Sequence, residues 1–203
     1  MASEATLPDD ERLVSLSKDG SLDSFNSLVE RHQSSVFSLC LRLLGSPHSA
    51  EDATQETFLS AYRALHSFAG GNVRSWLLRI AANESKDELR RRRRKDSAGS
   101  LNQMFDNEEV PIEVPDNSES TEAFIERQEL GEGLQNLLLL LPFDQRQAIV
   151  LADIQGYRYE EIATITSSSL GTVKSRIHRA RERMRKLIAE HPELLGPSRR
   201  LES

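Results

Sequence analysis

The sequence predicts an all-α protein of two small helical domains joined by a flexible acidic linker. Three observations carry that expectation. Apolar residues recur at three- and four-residue steps on both sides of the middle of the 203-residue chain, as amphipathic helices require. Glycine, proline and small polar residues stand where those runs stop. Between Asp96 and Ser120, DSAGSLNQMFDNEEVPIEVPDNSES, the periodicity fades and acids accumulate, the composition of a tether. The expected boundaries are a first domain over 1–95, a linker over 96–128, a second domain over 129–190 and a tail over 191–203.

Composition narrows the class. Hydrophobic residues make up 37% and aromatics 5%, so both cores should be thin. The single cysteine, Cys40, cannot form an internal disulfide and sits on an apolar helix face, which suits a buried thiol in a reducing compartment. The start, MASEATLPDDERL, has neither a basic head nor an apolar run, and no stretch approaches the roughly twenty apolar residues of a membrane span. A soluble, cytoplasmic protein with no membrane partner is expected. The formal charge of −6 divides unevenly. Residues 1–95 hold 14 cations and 13 acids, residues 96–130 hold 1 and 10, and residues 131–203 hold 11 and 9. The acid is in the middle, and each flank keeps its cations in local runs.

In the first domain, a short helix from Asp9 to about Lys18 ends at Gly20. Ser21 caps a second, in which Leu22, Phe25, Leu28, Val29, Val36, Phe37, Cys40, Leu43 and Leu44 recur at helical spacing up to Gly45. Ser46 and Pro47 form an N-cap and first helical position for a third helix reaching about His66. Phe68-Ala69-Gly70-Gly71 breaks it, and Asn72 caps a fourth helix that ends in the cations Arg90 to Lys95. Four helices with short connections make a bundle. On the third helix Asp52, Gln55, Glu56 and Leu59 share a mixed polar face, while Ala53, Phe58, Ala61, Tyr62 and Leu65 supply packing. Trp76 joins Leu77 and Ile80 in the core stripe of the fourth. The glycine pair makes a loop rich in backbone donors, suited to surrounding an extruded base. The six cations Arg90, Arg91, Arg92, Arg93, Arg94 and Lys95 repel one another, and a polyanion would relieve that.

The second domain opens with a helix from Thr121 to Leu141, Leu134, Leu137, Leu138 and Leu141 facing inward. A helix from about Gln145 to Ile154 follows, with Asp144 and Gln147 as a capping box and Gly156 as its left-handed stop. Tyr159 to Ile165 is a short helix, Thr166, Ser167 and Ser168 form a turn and offer an N-cap, and a last helix runs from about Ser169 to Ala189. Two helices joined by a tight turn, the second basic, describe a DNA-binding helix-turn-helix. On the last helix Val173, Ile177, Ala180, Met184 and Leu187 form the inward stripe. Lys174, Arg176, Arg179, Arg181, Arg183, Arg185 and Lys186 answer one acid, Glu182. Ser175, His178 and Arg179 lie near enough to the helix start to reach base edges, with more distal arginines on the phosphate backbone.

Leu141-Pro142, Arg146, G-Y-x-Y-E-E-I-A over Gly156 to Ala163 and G-T-V-K-S-R-I-x-R-A-R over Gly171 to Arg181 resemble the C-terminal domain of bacterial sigma factors of the extracytoplasmic-function group, within the sigma-70 family. A-E-D-A-T-Q-E-T-F-L-S-A-Y, from Ala50 to Tyr62, and W-L-L-R-I-A-A-N, from Trp76 to Asn83, are similar to the N-terminal domain of the same group. That resemblance implies a factor that binds core RNA polymerase, directs it to promoters through two separated elements and helps open the duplex. It implies that Asp52, Gln55, Glu56 and Leu59 contact the beta-prime clamp coiled coil, and that the second domain meets the beta flap. Around the minus-10 element it places Phe68, Ala69, Gly70, Asn72 and Asn83, with Arg74 and Arg79 on phosphates and the run Arg90 to Lys95 on upstream duplex. At the minus-35 element it places Tyr159, Glu160, Thr172, Lys174, Ser175, Arg176, His178, Arg179 and Arg183. It leaves room for an anti-sigma protein wedged between the domains, and for a linker that threads a polymerase channel.

The chain departs from the family pattern at Ser167, where the turn usually offers a glycine, and at His178, where a larger apolar residue is frequent. Asp87 is an acid near the minus-10 surface and is expected to face the bundle or a cation. No catalytic set, no metal-spaced Cys/His cluster and no phosphate-cradling glycine loop occurs, so neither an enzyme nor a cofactor is expected. The competing expectation is a stand-alone helix-turn-helix regulator whose first domain senses a ligand or dimerises.

Overall fold

The structure is a computed structural model and describes residues 9–98 and 121–192. Helices account for nearly all of it: α1 Asp10–Lys18, α2 Leu22–Leu44, α3 Pro47–Ala64, α4 Val73–Ala98, α5 Thr121–Leu139, α6 Phe143–Ile149, α7 Tyr159–Ile165 and α8 Leu170–Glu190. Backbone helix thus enters both ends of the span 96–128 that composition assigns to the linker, and 99–120 lies outside the described residues.

In the first domain the N-caps fall on small polar side chains. Asp9 accepts from the Arg12 amide, Ser21 from Ser24 and Ser46 from Ser49, and Asn72 Oδ1 accepts from the Ser75 amide at 2.8 Å. Gly45 closes α2 at φ 76, a left-handed backbone that costs glycine little. The last residues before Phe68 tighten into a 3-10 turn, Leu65–Ser67.

Packing of α2, α3 and α4 buries Val36, Leu39, Cys40, Leu43, Ala50, Ala61, Leu65, Leu77 and Leu78. Burial pushes the Cys40 thiol up, outweighing the opposing influence of the Ser85 and Thr54 hydroxyls beside it. The second domain buries Leu137, Leu138, Leu141, Val150, Leu151, Ile162, Ile165, Val173, Ile177 and Ala180. Leu134 is half-buried, as are Met184 and Leu187 at the far end of the α8 stripe.

Two boundaries differ from expectation. The helix read over Gln145–Ile154 starts earlier, at Phe143, with Pro142 at the cap, because the Pro142 carbonyl accepts from both Gln145 and Arg146 amides at 2.9 Å. Asp144 therefore lies inside the first turn and does not cap it. Its end widens into a π turn, Val150–Ile154, in which the Gln155 amide donates five residues back to Val150 at 2.9 Å. Ser169, one residue past the expected candidates, caps α8.

The two domains touch. Arg146, 7% exposed, reaches across to donate to the Leu43 carbonyl near the end of α2, and to Leu139 and Leu141 in its own domain at 2.7 and 3.1 Å. Arg42 donates to Gln135 Oε1 at 2.9 Å, and Gln135 Nε2 returns a 3.3 Å bond to the Arg42 carbonyl. The last carbonyls of α2, which have no partner within their own helix, are thus capped from α5 and α6.

Candidate functional site

Three surfaces hold the residues that the sequence singles out. The first is the outer face of α3. Asp52, Gln55 and Leu59 are exposed there and Glu56 is half-buried, with His48 Nδ1 4.0 Å from Asp52. Beside them lies an open groove of ≈490 Å³ lined by Leu22, Phe25, Val29, Phe58, Leu59 and Tyr62, with Gln33, Thr54 and Gln55. Leu22, Leu59 and Tyr62 stay 59%, 48% and 45% exposed. Leu22 and Tyr62 count as packing residues on periodicity alone, and here they are surface. Leu22 is the first residue of α2. Tyr62 leans edge-on against Phe25 at 5.0 Å and keeps the rest of its ring open. A carboxylate and amide ridge beside an exposed apolar groove is the anatomy of a protein-docking surface.

The second surface is the loop from Phe68 to Asn72 and the start of α4. Ala69, Gly70, Gly71 and Asn72 are exposed, and the glycines adopt φ 103 and 98. Phe68 differs from the sequence expectation: its ring is 8% exposed and packs on Trp76 at 4.7 Å. It anchors the loop, and it has too little free face to stack on a base. Trp76 is half-buried against it, in keeping with a core role. Arg74, Arg79 and Asn83 project from exposed positions of α4. Arg74 lies 5.2 Å from the Tyr157 ring of the second domain, a cation–π contact that occupies it. Burial, the largest influence, pushes the Tyr157 phenol up, and Arg74 opposes it.

Further along α4, the basic run is partly paired with its own helix. Arg90 meets Asp87 at 2.9 Å, and Arg91 and Arg92 share Glu88 at 3.5 and 3.2 Å. Asp87 thus faces a cation, as expected. The Lys95 side chain lies outside the described residues.

The third surface is the helix-turn-helix. Glu161 returns its carboxylate to the Arg158 amide at 2.9 Å to open α7. Ser167 carries φ 49, the one positive value at a non-glycine among the described residues, at the turn position where the family pattern has glycine. On α8 Lys174, His178, Arg179 and Arg183 are exposed, as is Glu160 on α7. Thr172 and Tyr159 are half-buried, and so is Ser175, whose hydroxyl donates to the Thr172 carbonyl at 3.0 Å. Arg176 departs from expectation. Its guanidinium donates to Ser168 Oγ and to Asp144 Oδ2, both at 2.8 Å, and so ties the turn and α8 to α6. Arg181 is held by both oxygens of Asp153, at 2.9 and 2.6 Å, which raises its pKa further. These acids lie 32 and 28 residues upstream, beyond the reach of any local pattern.

Among the described residues no cluster of three or more His, Cys, Asp or Glu could hold a metal ion, and no helix is long and apolar enough to cross a membrane.

The model of sigma-70 region 2 matches residues 28–95 and that of sigma-70 region 4 matches residues 132–184, so the loop and α3 face fall in one module and the helix-turn-helix in the other. The chain belongs to the sigma-70 family. It is 40% identical over 170 residues to the ECF RNA polymerase sigma factor SigE of Mycolicibacterium smegmatis, covering 84% of this chain and 63% of that protein. It is 35% identical over 188 residues to the RNA polymerase sigma-H factor of Pseudomonas aeruginosa, covering 90% and 95%. A solved structure of the sigma factor RpoE with the anti-sigma factor NepR from Bartonella quintana superposes with a TM-score of 0.63 at 28% identity, over 83% of this chain and 98% of that one. These relatives make the chain an RNA polymerase sigma factor of the extracytoplasmic-function group, a transcription initiation factor that directs the polymerase to promoters. A stand-alone regulator with a sensing domain is not favoured by them.

Proposed function

We propose that this sigma factor docks on core RNA polymerase through the α3 ridge and its neighbouring groove, captures an unstacked minus-10 base in the Ala69–Asn72 loop, and reads the minus-35 element with α8. The observation that carries the assignment is the pairing, within one bundle, of an exposed apolar docking groove with a glycine loop. The groove offers Leu22, Leu59 and Tyr62 to an apolar partner face, and Asp52, Gln55 and Glu56 give it polar register. The loop's open backbone donors suit the polar edge of a base. On α8, Lys174, Ser175, His178 and Arg179 are assigned to base edges and near phosphates, Arg183 to the backbone, and Arg176 to holding the turn. Tyr159, Glu160 and Thr172 flank that surface. Arg79, Asn83 and the run from Arg90 serve the DNA at and upstream of the melted region. The protein catalyses no covalent step of its own and acts in the cytoplasm, where polymerase and promoter meet. An anti-sigma protein is a fitting regulator, as NepR is the partner of RpoE.

Run-off transcription with purified core polymerase on genomic fragments tests the function. Discrete start sites that depend on this protein are expected, and retention of fragments by the protein alone with no change in transcription would overturn it. Within that assay, reversing charge at Asp52 and Glu56 together, or Leu59→Asp, should abolish polymerase binding while far-UV circular dichroism stays unchanged. Retained binding in both would remove α3 from the interface.

A further inference from the structure

The minus-10 loop is held at its ends and open at its tip. On the exit side Asn72 accepts from Ser75 through its side chain and from Trp76 through its carbonyl, at 2.8 and 3.1 Å. On the entry side the Phe68 amide donates to Leu65 at 3.1 Å and the ring is buried against Trp76. In between, a Cβ added at Gly70 or Gly71 would meet nothing within 4 Å. The tip is therefore steered by whatever fixes the peptide planes at its ends.

One such fixture comes from fifty residues away. Lys18, the last residue of α1, donates from Nζ to the Phe68 carbonyl at 2.7 Å and lies 6.0 Å from the centroid of the Phe68 ring. The lysine is itself well placed. Leu13 and Val14 bury α1 against the bundle, and Asp10 ties its start to α2, accepting from Arg31 at 2.6 Å and meeting His32 Nε2 at 2.8 Å. His32 is 6% exposed. A helix fixed along its length presents the ammonium at a defined point.

We propose that Lys18 is a positioning residue for the base-capture loop: by holding the Phe68 carbonyl it aims the Ala69 N–H. The two groups belong to one planar trans peptide, in which the carbonyl and the N–H point to opposite sides. An ammonium on the carbonyl side therefore turns the Ala69 N–H away from α1. It polarises that peptide too, strengthening the N–H as a donor. Ala69 is exposed, so the acceptor that the N–H meets is a ring nitrogen or carbonyl of the incoming base. This inference rests on assigning base capture to the loop, and the test separates the two.

The experiment uses full-length protein assembled with core polymerase. Holoenzyme binding is measured to single-stranded oligonucleotides spanning the minus-10 element, intact or abasic at each position in turn, alongside transcription from duplex and premelted templates. Lys18→Met keeps the apolar stem and removes the donor. It should cut the preference for an intact base by up to about tenfold, the size of the one amide hydrogen bond to the base that loses its aim. Duplex transcription should fall by a similar factor and premelted transcription far less, with polymerase affinity unchanged and the melting temperature lowered by no more than a few degrees. Lys18→Arg keeps a donor and should recover most of the loss. Gly70→Val, strained at φ 103, reports on the loop independently. If Gly70→Val loses base preference and Lys18→Met does not, Lys18 has no positioning role and the loop assignment stands. If neither changes it, the loop assignment fails and the Lys18 proposal with it. A Lys18→Met variant that loses thermal stability and polymerase affinity in the same proportion would make the contact merely structural and overturn the proposal.

Discussion

Ser167 is the position at which this sigma factor can be made more stable by one atom group. At φ 49 its Cβ crowds the following carbonyl, a conformation that costs an L-residue about 1–2 kcal/mol. Glycine avoids that crowding but gives back about 0.5–1 kcal/mol in unfolded-chain entropy. Ser167 is exposed, so little packing is lost with its side chain. Ser167→Gly should therefore stabilise the helix-turn-helix by about 0.5–1 kcal/mol, raising its melting temperature by roughly 2–8 °C for a domain of this size. The decisive observation is the order across a series followed by circular dichroism. Gly should be most stable, Asn next because its short polar side chain tolerates this backbone, and Ser and Ala about equal. Val should be worst, since β-branching makes a positive φ costlier. Equal stability of Gly and Ala would refute backbone strain as the cause.

Arg146→Met leaves the carbonyls of Leu43, Leu139 and Leu141 without their donor. Burial holds the guanidinium down to about 10, a cost that Met removes, so the net loss should be about 2–4 kcal/mol in denaturant titration. Arg146→Lys should recover little, because one ammonium cannot span three carbonyls. Cys40 gives a pH signature. Its thiol titrates higher folded than unfolded, so above about 9 the native state holds more protons and stability falls as pH rises. That part of the alkaline decline should vanish in Cys40→Ala, and parallel stability–pH curves for the two proteins would refute it. Finally, Arg183→Ala should reduce the salt slope of promoter binding by about 0.9, one phosphate's worth. Arg176→Ala should instead lower the stability of the second domain by about 1 kcal/mol and leave the slope nearly unchanged. Equal slopes for both variants would assign Arg176 to phosphate.

What was legible in the sequence was local. Gly20, Gly45 and the Ser46-Pro47 pair stop and start helices through their own backbone preferences, and the structure breaks there. The glycine pair and the Asn72 cap likewise placed the loop. The missing glycine at Ser167 was visible only against the family pattern, and its physical reason, a positive φ, comes from the structure. What failed depended on partners distant in sequence. Asp144 looks like a cap to its neighbours, yet Pro142 starts the helix first and frees the carboxylate for Arg176 and, at 3.5 Å, Lys86. Leu22 matches the core stripe in spacing, and nothing in its neighbours tells that it stays exposed. The burial of the Phe68 ring, set by Trp76 and α1, could not be read from its neighbours in the chain either.

The same distinction sorts the cations, which a count of charge treats alike. Arg90, Arg91 and Arg92 pair with acids on their own helix, at side-chain exposures of 64%, 51% and 38%. Such pairs are worth about 0–1 kcal/mol in water, and a phosphate that releases counterions can displace the carboxylate at little cost. Their pairing keeps a crowded run helical and leaves it free to exchange carboxylate for phosphate. Arg176 is another case: 24% exposed, with hydroxyl and carboxylate both in place, it would have to release the turn that aims α8 before it could reach a phosphate. A basic helix can thus carry fewer DNA contacts than cations and still bind well, because the cations it spends internally fix the direction in which the rest project.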